Sequence, residues 1–189
     1  MKIDLILAGN FGEMRDNHFH TGLDIKTAGV EGQNLYAVEE GYISRIRISP
    51  WGYGLAVYID HPNGLTSLYA HMKSFSGKID SLAYSKQKQN EAYVLDEIVL
   101  EDSVYVKKGE FIGLSGNSGS SNAPHLHFEI RETKTEHSIN PLLFKCFRSK
   151  IPDTTNPTIS GIKLYAVSEK GYMIPGKSIY YSCKTVEGK

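Results

Sequence analysis

Residues 55–69, Leu55-Ala56-Val57-Tyr58-Ile59-Asp60-His61-Pro62-Asn63-Gly64-Leu65-Thr66-Ser67-Leu68-Tyr69, set the architecture. Leu55, Val57 and Ile59 alternate with Ala56, Tyr58 and Asp60, which is the two-residue period of a strand. His61-Pro62-Asn63-Gly64 supplies a turn, and Thr66-Ser67-Leu68-Tyr69 continues as a second strand, so the stretch predicts a β-hairpin. The same periodicity reaches back to Gly41. Downstream, Glu110 to Leu114 predicts a strand after the Lys107-Lys108-Gly109 turn, and Leu126-His127-Phe128-Glu129-Ile130 predicts a last core strand. Strands joined by short turns, with few helices, indicate a mostly β, antiparallel domain.

Residues 73–103 break that rhythm, with an inserted segment at about 76–103. Ser81 to Ala92 is polar and rich in helix formers, which predicts a short surface helix. Val94 to Leu100 predicts an added strand. A segment of this length between core strands predicts a functional loop or lid. Lys150-Ile151-Pro152-Asp153-Thr154-Thr155-Asn156-Pro157 has linker character. The expected organisation is therefore a main domain over 1–148, a linker over 149–157, and the start of a second β domain over 158–189. Strands are expected over Thr158 to Val167 and Ser178 to Cys183. A remnant of roughly 30 residues cannot build its own core, so the remainder of that domain is expected to lie beyond this chain. There is no internal repeat.

The chain has 189 residues, 40% of them hydrophobic, and 21 basic against 21 acidic residues. Zero net charge excludes the basic footprint of a nucleic-acid binder and a polybasic membrane patch. The 18 Gly, 12 Tyr and 7 Phe favour strands and tight turns. Cys146 and Cys183 are too few for a disulfide framework, and either stay unpaired or form one incidental bridge. No apolar run is long enough for a membrane-spanning helix. The N-terminus, with one Lys and a short apolar stretch broken by Asp4, makes a poor signal peptide. It fits either a cytosolic protein or one whose leader has been removed.

The histidines carry the chemistry. His125 and His127 flank Leu126 in a strand, so both imidazoles and Glu129 point one way while Leu126, Phe128 and Ile130 enter the core. In His20-Thr21-Gly22-Leu23-Asp24, the four-residue spacing keeps His20 and Asp24 on one side. Gly22 allows a tight bend or a close approach between them. Imidazole nitrogen and carboxylate oxygen are both normal zinc ligands. Two His and one Asp give three protein ligands and leave a tetrahedral zinc one position for water, the pattern of a catalytic site. His125 is then left beside the metal, where a proton-transfer group is useful, and His71 at the end of a strand is a second such group. His61 opens the hairpin turn and reads as structural. His18 shares the face of His20 if the segment is extended, and His137 lies in a polar loop.

With these residues in place, the chain resembles the lysostaphin-type zinc endopeptidases, the family that includes the LytM-like autolysins. The resemblance covers residues 8–144. It runs through Phe11-Gly12 with Arg15, His20-Thr21-Gly22-Leu23-Asp24, Ala37-Val38-Glu39-Glu40-Gly41 and Gly52-Tyr53-Gly54. It continues through Ile59-Asp60-His61, Tyr69-Ala70-His71-Met72, Val106-Lys107-Lys108-Gly109 and Ile112-Gly113. Gly116-Asn117-Ser118-Gly119, His125-Leu126-His127-Phe128-Glu129 and Asn140-Pro141 complete it.

The resemblance implies His20, Asp24 and His127 as ligands of one zinc ion per chain, and His71 and His125 as the catalytic pair. It implies a two-sheet antiparallel fold of the duplicated-hybrid-motif kind, with the metal in a groove between loops. Substrates would be stem or cross-link peptides of peptidoglycan, and the location the cell envelope, periplasmic or secreted. His125 would act as general base and His71 would hydrogen-bond the oxyanion or the leaving amine, with the two roles exchangeable. Smaller members join the Tyr-x-His strand to the Val-Lys-Lys-Gly segment by a much shorter connection, so the insert is expected to wall or lid the cleft and narrow substrate choice. Two other readings stand beside this one: a catalytically silent wall-peptide-binding module, and a peptidase of non-wall peptides.

Overall fold

The hairpin forms as its alternation predicts, and the other strands assemble around it. A computed structural model describes residues 1, 3–15, 18–99, 104–151 and 158–183. The chain divides into two compact units, Met1–Pro152 and Asp153–Lys189. Residues 152–157 of the expected linker and residues 100–103 of the expected insert lie outside the described residues.

The first unit contains β1 (Leu7–Gly9), β2 (Leu23–Lys26), β3 (Asn34–Tyr36), β4 (Gly41–Ile48), β5 (Leu55–Asp60) and β6 (Leu65–Phe75). After α1 (Gly77–Asn90) come β7 (Leu95–Ile98), β8 (Tyr105–Val106), β9 (Phe111–Ser115), β10 (His125–Glu132) and β11 (Ser138–Ile139). A 3-10 turn at Pro141–Leu143 leads into the short α2 (Lys145–Arg148). The main sheet runs β1-β2-β10-β6-β5-β4-β7, and every pairing is antiparallel. A smaller layer, β3 with β9, joins it because β6 is long. The first part of β6 pairs with β5 and β10, and its last residues, from Met72 to Phe75, pair with β9. The two expected sheets thus share one strand.

Alternation sorts the side chains of the central strands onto two buried faces. On the inner face Ile43, Ile46, Val57, Ile59, Tyr69, Leu126 and Phe128 meet Leu35 of β3 and Ile112 of β9 in the main core. Full burial of a side chain such as Phe128 contributes about 2–3 kcal/mol. On the outer face a smaller apolar group, Ala56, Tyr58, Leu68 and Ala70, packs with Tyr53.

The described part of the insert packs against the core. Its helix begins at Gly77, not Ser81, and turns Ile79 and Ala83 inward, where they join Leu95 in the main core. β7 pairs with β4 as an added edge strand. Four buried apolar side chains, Ile79, Ala83, Leu95 and Val99, draw the segment onto the core side, and β7 widens the sheet.

In the second unit β12 (Gly161–Val167) and β13 (Met173–Ser182) form an antiparallel ribbon. Ile162 pairs with Tyr181 and Leu164 with Ile179, giving one exposed apolar face within that unit. Cys146 and Cys183 are exposed free thiols. No helix among the described residues is long and apolar enough to cross a membrane.

Candidate metal centre

Strand β10 places the site. Its pairing with β2 sets His127 opposite Asp24 on the outer face, while Leu126 opposite Ile25 and Phe128 opposite Leu23 point into the core. His20 arrives from the segment before β2, which is held by backbone bonds from Gly12 N–H to the His20 carbonyl and from His20 N–H to the Glu13 carbonyl, both 2.8 Å. The three groups converge. His20 Nε2 lies 3.0 Å from Asp24 Oδ1 and 3.0 Å from His127 Nδ1, and His127 Nδ1 lies 3.0 Å from Asp24 Oδ1.

The far nitrogens fix the tautomers. His20 Nδ1–H donates to the Asn10 carbonyl at 2.7 Å, and His127 Nε2–H donates to Glu129 Oε1 at 2.8 Å. In the neutral rings both near nitrogens are therefore bare lone pairs, facing each other and a carboxylate oxygen. Three such acceptors this close repel one another unless a proton or a metal cation lies among them, and two imidazoles with one carboxylate form a zinc-type donor set. The second oxygen of Asp24 accepts from Arg15 Nη2 at 2.8 Å. Each donor is thus oriented from behind, as metal ligands are.

Glu129 is the hub of that support. It is fully buried, and its Oε1 also accepts from Thr21 Oγ1 at 2.7 Å and from the Tyr53 hydroxyl at 2.5 Å. Its Oε2 accepts from Arg131 Nε at 2.7 Å. Burial works to raise the Glu129 carboxyl, but the hydrogen bonds from His127 and Arg131 outweigh it and hold the group down at about 2. Burial and the adjacent Glu129 charge push the Tyr53 phenol up, so it remains a donor. Gly22 makes the room: a Cβ there would collide with the Phe128 carbonyl and with Glu129 Cγ.

His71 reaches the outer face through a bulge. Between the Leu55–Met72 and Val57–Tyr69 pairs, Ala56 alone faces both Ala70 and His71. His71 takes φ 55°, unusual for a non-glycine residue, and its N–H bonds the Tyr53 carbonyl at 2.9 Å. Its Nδ1–H donates to the Ser118 carbonyl at 2.8 Å, and burial lowers its pKa to about 4. His125 Nδ1–H donates to the Ala123 carbonyl at 2.8 Å, which leaves Nε2 facing the cluster, 3.5 Å from Asp24 Oδ1. The His71 and His125 rings are 4.7 Å apart.

All five expected site residues thus meet. The other histidines do not join them. His61 is tied to the Glu40 carbonyl and Ser67 Oγ at the hairpin turn, and His18 and His137 are exposed. The sequence placed Glu129 on the right face and Arg15 within a motif, but not in these supporting roles. Thr21 and Tyr53 likewise stood only within motifs, and Asn10 and Arg131 were missed altogether, since nothing local marks them. A separate cavity of about 700 Å³ lies on the inner side of β10, lined by Ile25, Leu35, Leu126, Phe128, Phe144 and Phe147.

The chain is 36% identical over 112 residues to the DD-carboxypeptidase/endopeptidase Mpg of Neisseria meningitidis serogroup B, an overlap of 59% of this chain and 20% of that protein. It is 29% identical over 113 residues to the murein hydrolase activator EnvC of Escherichia coli, again 59% of this chain and 20% of the relative. The chain thus spans about a fifth of the length of these curated relatives. Its fold is that of the lysostaphin catalytic domain from Staphylococcus simulans, with TM-score 0.56 and 22% identity over 74% of this chain and 91% of that one. A mutant catalytic domain of the prophage-encoded M23 protein EnpA from Enterococcus faecalis superposes with TM-score 0.52 at 24% identity, covering 72% and 88%. The profile of Peptidase family M23 matches residues 18–89 and 83–141, spans that include His20, Asp24, His71, His125 and His127, and the chain belongs to that family.

Proposed function

We propose that the chain is a zinc-dependent endopeptidase that hydrolyses peptide bonds of bacterial peptidoglycan, with one zinc held by His20 Nε2, Asp24 Oδ1 and His127 Nδ1. The convergence of these three bare acceptors, each braced by Asn10, Arg15 or Glu129, carries the reading. Zinc bound there supplies a Lewis acid and lowers the pKa of its water toward ~7. His125 Nε2 accepts a proton from water at the cluster and returns it to the leaving amine nitrogen. The hydrogen bonding of His71 supports one of its two exchangeable roles, that of acceptor. With its Nδ1–H given to Ser118, neutral His71 has no N–H facing the cleft, and burial opposes a protonated ring. His71 Nε2 therefore accepts a hydrogen bond from water or from a substrate N–H instead of donating one to an oxyanion.

The wall substrate and an envelope location rest on the family and on relatives named DD-carboxypeptidase/endopeptidase and murein hydrolase activator. The β12–β13 ribbon, with its exposed apolar face, supports reading residues 158–189 as the start of a second β domain after a 149–157 linker. A two-stranded ribbon is marginal alone, so a 158–183 peptide is expected to show no cooperative melting by circular dichroism. Cooperative melting would count against that assignment.

Zinc content and muropeptide release from purified peptidoglycan, with wild type beside His125→Ala, test the proposal. One zinc per chain with cleavage lost in the variant is expected. Zinc without cleavage by the wild type would favour the silent wall-binding module. Cleavage of other peptides but not of peptidoglycan would favour a non-wall peptidase. Absence of zinc refutes the metal site.

A further inference from the structure

The outer face continues beyond the histidines across β6, β5, β4 and β7. Its floor is Ala70, Leu68, Ala56 and Tyr58, and it carries three arginines: Arg131 on β10, and Arg45 and Arg47 on β4. Two of them are saturated. Arg131 binds Glu129, and Arg45 forms a two-pronged pair with Asp96, with Nε–Oδ1 at 2.6 Å and Nη2–Oδ2 at 2.9 Å.

Arg47 differs. It sits opposite Asp96 in the β4–β7 pairing, yet both Asp96 oxygens go to Arg45. Among the described residues Arg47 has no carboxylate in ion-pair reach and no side-chain hydrogen bond; its guanidinium carbon stands 5.8 Å from the centre of the Tyr53 ring. That ring lies 5.3 Å from the ring of His127. The guanidinium is thus at most about 11 Å from that imidazole, a span of roughly three extended residues. A half-buried fork, over the face of an aromatic ring that Glu129 holds in place, is available for a planar anion.

We propose that Arg47 is a specificity-determining residue that binds a carboxylate of the substrate peptide within about three residues of the scissile bond. The preferred substrate is then a stem peptide with that carboxylate free, not amidated. The proposal rests on the peptidase reading of the neighbouring cluster. Its ligand chemistry has two sources in a stem peptide, the terminal α-carboxylate and a carboxylate within the chain.

Binding separates the possibilities without requiring turnover. Zinc-loaded His125→Ala protein is titrated calorimetrically with a synthetic stem peptide and with versions amidated at one carboxylate at a time. One amide is expected to weaken binding at least tenfold and so to identify the source. Adding Arg47→Gln should weaken the parent peptide to the same level and abolish sensitivity to that amide, and Arg47→Lys should restore part of it. Amidated peptides that all bind within twofold of the parent would overturn the proposal. So would discrimination that survives in Arg47→Gln, or failure of every peptide to bind. Should Arg47 only brace Tyr53, the variant would lower zinc content and leave amide discrimination intact, which also overturns it. Digestion of whole peptidoglycan by wild type reports the peptidase reading separately: cleavage without amide discrimination sinks the role of Arg47 alone.

Discussion

Glu129→Gln is the substitution that most directly probes how the metal centre is held. The new side chain has the same shape, but an NH₂ replaces one of two oxygens that receive Thr21, Tyr53 and His127 on one side and Arg131 on the other. Whichever way the amide turns, a donor faces a donor. The amide also leaves Arg131, whose side chain is 14% exposed, with only Glu136 at 3.6 Å as counter-charge among the described residues. Breaking a buried pair by removing one partner costs about 3–5 kcal/mol, and Glu136 favours the lower end. At about 3 kcal/mol, a domain of this size should melt roughly 6–12 °C lower. His127 also loses the anion that fixes its tautomer, and losses of this kind weaken metal affinity about 10–100-fold. Zinc competition against a chromophoric chelator at neutral pH, alongside a thermal melt, measures both. A zinc affinity within threefold of wild type, in a protein that still folds, would refute Glu129 as the orienting partner of His127.

Three further outcomes are expected. Gly54→Ala places a side chain at φ +66°, against Ser118 and Gly119, and should cost about 1–2 kcal/mol in backbone strain alone; since Ser118 anchors His71, peptide cleavage should fall more steeply than zinc content, and a fully active variant would contradict that anchoring. Ile79→Ala in α1 should destabilise the fold by about 2–5 kcal/mol in a chemical denaturation curve and leave zinc affinity unchanged; a change in substrate preference without loss of stability would contradict a core-packing role for Ile79. Zinc at a hundred times its dissociation constant should stabilise the fold by about 2.7 kcal/mol, an increment that a chelator removes in a thermal melt; identical melting with and without chelator would argue against a site in the folded protein.

Much of the site was legible because its signals are local. In His125-Leu126-His127-Phe128-Glu129 the alternation alone places the imidazoles and the carboxylate on the face opposite Leu126 and Phe128, and the structure agrees. The helix start was placed late because the apolar positions Ile79, Leu82 and Ala83 are scattered in a mostly polar stretch, and only the space beside Leu95 and Val99 shows that they pack on the core. Glu129 was placed correctly but left without a purpose, since Thr21, Tyr53 and Arg131 reach it from separate strands and loops.

His71 marks the boundary most clearly. Strict alternation from the core residue Tyr69 would send His71 inward, away from His125 and His127. The bulge opposite Ala56 inserts one extra residue, so that Ala70 and His71 both face outward and Met72 returns to the core. The sequence by itself determined the strands, the hairpin and the face of the His-x-His pair, because a two-residue period is written in neighbouring residues. Tertiary structure decided which histidine joins that pair, which atoms stand ready for a metal and which carboxylate braces them. Those depend on register and pairing between segments as much as a hundred residues apart, which only packing fixes.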